Sequence, residues 1–386
     1  MRIQGNVPDG GLVEVEIEAD RIASVHALGT ADPSKPYVSP GLVDIQINGF
    51  AGVDFSAPDL EPEQAASVLT ALFKTGVTTC YPTLITNTPE RILRNLRVLE
   101  QARRLDSRFA RAVPGYHLEG PYLSPGPSHG AHDPSLMKAP DWEEFAAFQQ
   151  AANERIRIIT LAPELPGALD FIRRAGQAGV VVALGHTGGT GDEIHRAAEA
   201  GAALSVHLGN GCGEFLHRHR APFWAQLADD RLSASLICDG FHLPQELVQV
   251  IVRVKGIERL VLITDAIHAA GMPPGKYSLV GVPIELMPNG QVLRDDRRSM
   301  AGSSVGLNRA VSVFQEFGRV SLQDAMQAAT RNPARLLRDA AICSDLAVGQ
   351  PANLILFRPG PDRLVIESMV MGSVFAESWQ ADFRQI

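Results

Sequence analysis

The sequence contains no run of apolar residues that approaches the roughly 18 needed for a helix to cross a bilayer. Its first residues also lack the apolar core of a secretory signal peptide. We therefore expect no membrane partner and a cytoplasmic location.

Cysteine pairs and basic clusters are absent too. The four cysteines, Cys80, Cys212, Cys238 and Cys343, are scattered and show no Cys-x-x-Cys spacing, which indicates reduced thiols rather than a disulfide framework. The formal net charge is -8 and no cluster of lysine and arginine stands out, so we expect no nucleic-acid partner. What remains is a chain of 386 residues, 45% hydrophobic and 20% charged, which can bury one large core or two modest ones.

Short apolar segments alternate with helical patterns through the middle of the chain. The predicted strands are 43–47, 77–81, 112–118, 156–161, 180–184, 204–206, 234–237 and 260–264. Helical patterns occupy 61–74, 89–105, 169–178, 192–200 and 244–255, while 140–154 and 224–228 are less regular. Eight such units of nearly continuous apolar strands predict an α/β fold, a (β/α)8 TIM-type barrel. A doubly wound sheet is the competing architecture, but it would not naturally place functional candidates after so many strands.

The two ends of the chain differ from its middle. Apolar and polar residues alternate in 11–17, and further strands are predicted at 21–25, 352–357, 364–367 and 369–374. These segments predict one small β domain built from both termini, residues 1–39 plus 346–386, beside a barrel of residues 40–345. An insertion at about 272–300, with strands around a Pro288-Asn289-Gly290 turn, predicts a β-hairpin flap that acts as a lid.

Four polar side chains stand at the ends of predicted barrel strands. Glu119, His186 and His207 end the third, fifth and sixth strands, and Asp265 ends the eighth. The carboxyl ends of barrel strands converge on one face, where catalytic residues lie. Two imidazoles and a carboxylate are ligands that suit a catalytic Zn²⁺ or similar ion, with one position left for water. A single histidine is usually structural, but this combination predicts a metal-assisted hydrolase with Asp265 as the proton shuttle.

Gln46 and Asn48 end the first predicted strand, and both face the barrel interior because side chains alternate along a strand. Many metal-dependent hydrolases of this architecture have His-x-His at this position, which holds a second ion. Amides are poor ligands for transition metals, so we expect a mononuclear site.

The densest local positive charge is His217-Arg218-His219-Arg220. Taken alone, this segment is typical of a solvated loop. Because it follows a predicted metal ligand, an anion clamp is the alternative interpretation, since arginine binds phosphate through two N–H donors.

Nine segments of the sequence together form a recognisable set: 40–49, His117-Leu118-Glu119-Gly120-Pro121, Gly130-Ala131-His132, 161–164, Gly185-His186-Thr187, 238–242, Thr264-Asp265-Ala266, Ala301-Gly302-Ser303 and 332–335. In these segments, and over almost its whole length, the chain resembles the N-acetylglucosamine-6-phosphate deacetylases of the amidohydrolase superfamily. The resemblance implies a barrel with a small β-sandwich domain, a homodimer, and hydrolysis of the 2-acetamido group of an amino-sugar phosphate.

The resemblance also assigns roles to residues. Glu119, His186 and His207 match the ligands of one divalent ion per subunit, with Zn²⁺ as the first candidate and Fe²⁺ or Co²⁺ as alternatives. Asp265 matches the catalytic acid and base, and His132 matches the residue that polarises the acetyl carbonyl. The positions that match substrate contacts are Ala131, Asn210, Gly211, His242, Met300, Ala301 and Gly302.

Two segments depart from the family pattern. After His207 the family commonly has Leu-aromatic-Asn-Ala-Met, whereas this chain has Leu208-Gly209-Asn210-Gly211-Cys212. The phosphate-binding arginine matches Arg218 by its spacing from Asn210 and Arg220 by the proline that follows. Alternatives therefore remain open: N-acetylgalactosamine-6-phosphate, an unphosphorylated acetamido sugar, an N-acyl amino acid or a cyclic amide as substrate, or a catalytically silent sugar-phosphate-binding protein.

Overall fold

The computed structural model describes residues 1–213, 215–297, 299–372 and 375–378. No helix in this part of the chain has the length and apolar character that a membrane span requires.

The strands are, in chain order, Arg2–Asn6 (β1), Gly11–Glu18 (β2), Arg21–Thr30 (β3), Tyr37–Pro40 (β4), Leu42–Ile47 (β5), Gly49–Phe50 (β6), Val53–Asp54 (β7), Val77–Ile85 (β8), Tyr116–Glu119 (β9), Ile156–Leu161 (β10), Val181–Leu184 (β11), Leu204–Ser205 (β12), Ser233–Ile237 (β13), Leu260–Ile263 (β14), Gly275–Leu279 (β15), Val282–Leu286 (β16), Val292–Arg294 (β17), Asn353–Pro359 (β18), Leu364–Met371 (β19) and Phe375–Ser378 (β20).

The α-helices are Pro62–Ser67 (α1), Leu69–Phe73 (α2), Pro89–Leu105 (α3), Ser107–Ala112 (α4), Trp142–Ala151 (α5), Ala168–Gln177 (α6), Gly191–Ala200 (α7), Pro222–Ala228 (α8), Gln245–Lys255 (α9), Leu307–Gly318 (α10), Leu322–Ala329 (α11) and Arg331–Leu337 (α12). Several begin with strong local signals: the Thr88 hydroxyl caps α3, and Thr190 and Glu193 form a capping box on α7.

β5 and β8–β14 form one eight-stranded parallel sheet in the order β14-β13-β12-β11-β10-β9-β8-β5. The two outer strands meet, because Asp265 N donates to Gln46 O at 3.0 Å and Asn48 N donates to Ala266 O at 2.8 Å. The Thr264 hydroxyl also donates to the buried Asp44 carboxylate at 2.5 Å. These contacts close the barrel, so the predicted fold is confirmed and the doubly wound alternative is wrong.

A second, seven-stranded sheet has the order β20-β19-β18-β4-β1-β2-β3 and therefore joins the two chain ends. The predicted strands 364–367 and 369–374 form one strand, β19. Its register against β18 shifts between Leu356 and Phe357, where Glu367 is the extra residue of a β-bulge. Residues 373–374 of that prediction, and residues 379–386 of the predicted β domain, lie outside the described residues.

The insertion is a three-stranded antiparallel sheet, β15-β16-β17, and this confirms the β character that the sequence predicts. Leu279, Ile284 and Leu286 pack in one apolar cluster with Ile267 and Ala301, which follow the last barrel strand. The flap therefore rests on the face of the barrel where the strands end.

Two element predictions are wrong in part. The predicted strand 112–118 begins only at Tyr116, because Asp106 caps a short helix, α4, that continues to Ala112. Ala112 and Val113 are apolar because the end of this helix packs into the core. The predicted helix 61–74 is divided at Val68 into α1 and α2.

Candidate active site

The four polar residues at strand ends lie together over the barrel mouth. Glu119 is the last residue of β9, whereas His186, His207 and Asp265 each lie two residues beyond a strand. These three have positive φ angles of 48°, 30° and 49°, respectively. Such a conformation costs a non-glycine residue about 1–3 kcal/mol and persists where the surrounding structure imposes it, which is common at functional sites.

Glu119, His186 and His207 are buried, and their ligand atoms lie within 4.8 Å of one another. Glu119 Oε1 lies 3.1 Å from His207 Nε2 and 3.4 Å from His186 Nε2. The two Nε2 atoms are 3.1 Å apart. The structure therefore brings together the three residues that the sequence predicts as a metal-ligand set.

The protonation of these groups fits a cation. Ser128 O accepts a hydrogen bond from His186 Nδ1 at 2.9 Å, so the neutral ring has its proton on Nδ1 and a lone pair on Nε2. Ligand atoms at zinc distances in a tetrahedron are about 3.3 Å apart, close to the spacing observed here. Burial acts to raise the pKa of Glu119, but its close contacts with the His186 and His207 rings outweigh burial and hold that pKa well below its usual range.

Two amide side chains donate hydrogen bonds to Asp265 and to Glu119. Asn48 Nδ2 donates to Asp265 Oδ1 at 2.7 Å, and Gln46 Nε2 donates to Glu119 Oε1 at 2.9 Å. Gln46 Oε1 and Asn48 Oδ1 are buried and accept no hydrogen bond from the described residues. Burial, and then the Glu119 charge, raise the pKa of Asp265 to about 6. The amides therefore present donors to two carboxylates, in the place where His-x-His would hold an ion.

His132 completes the polar floor of the site. Its Nε2 lies 3.7 Å from Glu119 Oε2, and its Nδ1 lies 2.9 Å from the hydroxyl oxygen of Thr86. Burial lowers the pKa of His132 to about 3, so the ring is neutral at physiological pH. A neutral imidazole can donate one hydrogen bond to a ligand.

A cavity of about 860 Å³ opens over these residues. Apart from Arg218 and Arg220, all the positions that the resemblance assigns to substrate contact line it: Ala131, Asn210, Gly211, His242, Met300, Ala301 and Gly302. Asp239 orients His242, because its carboxylate lies 2.7 Å from His242 Nδ1.

The two candidate phosphate-binding arginines lie outside this cavity. Arg218 and Arg220 are exposed, and neither lines the cavity of its own chain. Arg294 of β17 does line it, and its guanidinium donates to Gly130 O at 2.9 Å. Sequence reasoning missed Arg294 and Thr86. Arg294 had one usable signal, since it ends a strand of an insertion expected at the catalytic face, whereas Thr86 had none.

Comparison with known proteins agrees with this geometry. Residues 37–244 match the family model described as the amidohydrolase family. The chain therefore belongs to the amidohydrolase family.

Three individual proteins that the chain resembles are deacetylases of amino-sugar phosphates. The chain is 33% identical to the N-acetylgalactosamine-6-phosphate deacetylase of Escherichia coli O157:H7 over 83% of each protein. It is 29% identical to the N-acetylglucosamine-6-phosphate deacetylase of Bacillus subtilis, over 93% of this chain and 92% of the relative. A solved Mycobacterium smegmatis N-acetyl-D-glucosamine-6-phosphate deacetylase, in complex with N-acetyl-D-glucosamine-6-phosphate, superposes with a TM-score of 0.84 at 31% identity, over 96% of this chain and 98% of that one. The resemblance inferred from the motifs is confirmed.

Proposed function

We propose that this protein is a metal-dependent deacetylase that hydrolyses the 2-acetamido group of N-acetylglucosamine-6-phosphate to glucosamine-6-phosphate and acetate. The observation that supports this most is the cluster of Glu119, His186 and His207, linked through Gln46 to the Asp265 carboxylate on the floor of the cavity. A protein that only bound sugar phosphates would not need an acid and base beside a ligand set.

One divalent ion per subunit, Zn²⁺ first and Fe²⁺ or Co²⁺ as alternatives, would be held by Glu119, His186 and His207. Such an ion lowers the pKa of a water and polarises a carbonyl oxygen. The donors of Gln46 and Asn48 face Glu119 and Asp265, which supports a mononuclear site.

Side chains of the protein carry out the proton transfers and stabilise the charge that develops on the substrate. Asp265 accepts the proton of the attacking water as the new C–O bond forms at the acetyl carbon. His132 donates a hydrogen bond to the carbonyl oxygen as negative charge develops there. Asp265 then returns the proton to the nitrogen as the C–N bond breaks, which releases acetate and the free amine. Asn48 holds the Asp265 carboxylate through its 2.7 Å hydrogen bond to Oδ1.

The proposed substrate contacts lie along the cavity wall at Ala131, Asn210, Gly211, His242 and residues 300–302. Arg218 or Arg220 would supply the phosphate contact from a partner subunit of a homodimer. Both arginines are exposed and neither lines the cavity of its own subunit, which supports a role outside that subunit.

A second candidate substrate is N-acetylgalactosamine-6-phosphate. It is favoured by the 33% identity to the Escherichia coli O157:H7 enzyme named for that sugar. The two substrates differ only in the configuration at C4, so the same metal site and the same Asp265 chemistry serve both.

Acetate release from the acetylated compounds, together with ring opening of a hydantoin, tests these proposals directly. The purified protein, analysed for bound metal, would be incubated with both 6-phosphates, the unphosphorylated sugars, an N-acyl amino acid and a hydantoin. We expect about one ion per chain and phosphate-dependent turnover of an acetamido sugar. Turnover of only the acyl amino acid or the hydantoin would contradict the substrate class, and no turnover with tight sugar-phosphate binding would indicate a silent binding protein.

We also propose the division of the chain into residues 1–39 plus 346–386 and residues 40–345. The pairing of β4 with both β1 and β18 supports a joint unit of the two termini. A cytoplasmic location is proposed as well, since Cys80, Cys212, Cys238 and Cys343 are free thiols, which suit a reducing compartment.

A further inference from the structure

Thr86 follows the last residue of β8 and is buried beside His132. Its hydroxyl oxygen lies 2.9 Å from His132 Nδ1 and 3.4 Å from the backbone oxygen of Glu119. The hydroxyl has one proton and can donate it to only one of these two acceptors. If it donates to Nδ1, the neutral imidazole has its own proton on Nε2; if it donates to Glu119 O, the imidazole proton is on Nδ1.

Two observations favour donation to His132. A hydroxyl lies about 2.5–3.0 Å from a well-placed acceptor, a range that His132 Nδ1 meets and Glu119 O does not. His132 Nε2 also faces Glu119 Oε2 at 3.7 Å. A protonated Nε2 is attracted to that carboxylate, whereas a lone pair would be repelled by it.

The position of the Thr86 hydroxyl depends on Gly120. A Cβ atom on Gly120 would lie 2.2 Å from Thr86 Oγ1, so the hydroxyl would have to leave this position. Glycine at this position therefore leaves the space in which the hydroxyl reaches His132.

We propose that Thr86 is a positioning residue that holds His132 in the tautomer with its proton on Nε2, from which it donates a hydrogen bond to the carbonyl oxygen of the substrate amide. The use of that proton rests on the proposed function. The tautomer itself is a property of the resting protein and can be measured without any substrate.

Two-bond ¹H–¹⁵N correlation spectra of the zinc-loaded protein with ¹⁵N-labelled histidine measure the tautomer, with His132→Gln used to assign the signals. We expect a protonated Nε2 in the wild type and in Thr86→Ser. Thr86→Val, which lacks only the hydroxyl donor, should give the other tautomer or a mixture. Thr79→Val is the matched control, because it removes a buried threonine hydroxyl of β8 that has no hydrogen-bond partner among the described residues. A protonated Nδ1 in the wild type would overturn the proposal.

Kinetics test the consequence. Thr86→Val should lower kcat about 10- to 100-fold, less than the loss of a whole oxyanion-stabilising donor because the active tautomer stays partly populated. KM and zinc content should change little, Thr86→Ser should restore most of kcat, and Thr86→Val should add no further loss to His132→Gln. Thr86→Ala repeats the test if the valine variant does not fold. A wild type inactive on every acetamido sugar would reject the proposed function alone, whereas an active wild type with an unchanged tautomer in Thr86→Val would reject this inference alone.

Discussion

Asp265 shows how single residues set the chemistry of this site. Its carboxylate is half-buried and receives one short hydrogen bond, from Asn48. The longer contact from Gln46 Nε2, at 3.4 Å, places the same amide between Asp265 and Glu119. One amide therefore separates a carboxylate that would bind the ion from one that would move the proton.

Replacement of Asp265 by asparagine should lower kcat about 10²- to 10⁴-fold, because the amide cannot take the proton of the attacking water. The metal content should stay near that of the wild type, since Asp265 is not in the three-residue ligand set. Acetate release combined with elemental analysis measures both quantities. Wild-type turnover in Asp265→Asn would remove Asp265 from the proposed role.

Replacement of Glu119 by glutamine should reduce bound metal and activity together while most of the thermal stability remains, because the neutral amide is a weak ligand. Glu100→Gln is the matched control, since Glu100 is another buried glutamate whose carboxylate accepts from the Tyr116 hydroxyl away from the site. Elemental analysis and calorimetry make the comparison. Full metal content in Glu119→Gln would exclude Glu119 as a ligand.

Asp44 predicts a pH dependence of stability. Burial raises its pKa to about 7, although the Thr264 hydroxyl and two backbone N–H groups oppose the shift. A carboxyl with a higher pKa in the folded chain than in the unfolded chain is easier to ionise after unfolding. Below about pH 4 Asp44 is protonated in both states and does not lower the free energy of unfolding. As the pH rises from about 4 through about 7, the burial of Asp44 lowers that free energy by roughly 4 kcal/mol at most.

Asp44→Asn tests this dependence, because the amide does not ionise. The melting temperature of the variant relative to the wild type should rise steadily between pH 4 and pH 8, whatever its offset at the lower pH. Parallel curves for the two proteins would show that Asp44 titrates as an ordinary carboxyl.

At the scale of elements, the inserted sheet β15–β17 is tied to the loop that forms one wall of the cavity. Arg294 donates to Gly130 O, and a Cβ on Gly130 would lie 2.9 Å from His186 Cε1. Ser128, two residues earlier, accepts the hydrogen bond that orients His186. The flap therefore supports the segment that holds a proposed metal ligand.

Arg294→Ala should loosen this segment and raise KM several-fold, since substrate binding must then order the cavity wall. Hydrogen exchange of residues 128–132 should become faster. Arg297→Ala is the matched control, because Arg297 belongs to the same insertion but is exposed and pairs with Glu285. Equal exchange in the two variants would show that Arg294 does not hold the wall.

At the scale of the whole molecule, the proposed homodimer would complete each site with an arginine from the partner. In a mixture of Glu119→Gln chains with Arg218→Ala/Arg220→Ala chains, each mixed dimer has one complete site. Random mixing should then restore about a quarter of wild-type activity, whereas either variant alone has little at low substrate. Loss of a charge-assisted hydrogen bond of about 1.5–3 kcal/mol should raise the KM of the arginine variant roughly 10- to 150-fold. A mixture no more active than the sum of its parts would contradict the shared site.

Much of the architecture could be predicted from the sequence because strand and helix periodicity report burial along the local chain. Asp265 and the three ligand candidates were found by the same argument, since parallel strands must end on one face of a barrel. Local patterns also misled at 112–118, where a buried helix end looks like the start of a strand.

The sequence by itself determined the barrel, the terminal β sheet and which polar residues stand at the strand ends. Only the tertiary structure decided that Thr86 meets His132 across 46 residues of chain and that Arg294 meets Gly130 across 164. It also decided that Arg218 and Arg220 lie outside the cavity of their own chain. The physical reason is the range of each effect. Alternation and helical period depend on neighbouring residues, whereas these contacts exist only after the barrel has closed and the inserted sheet has packed onto it.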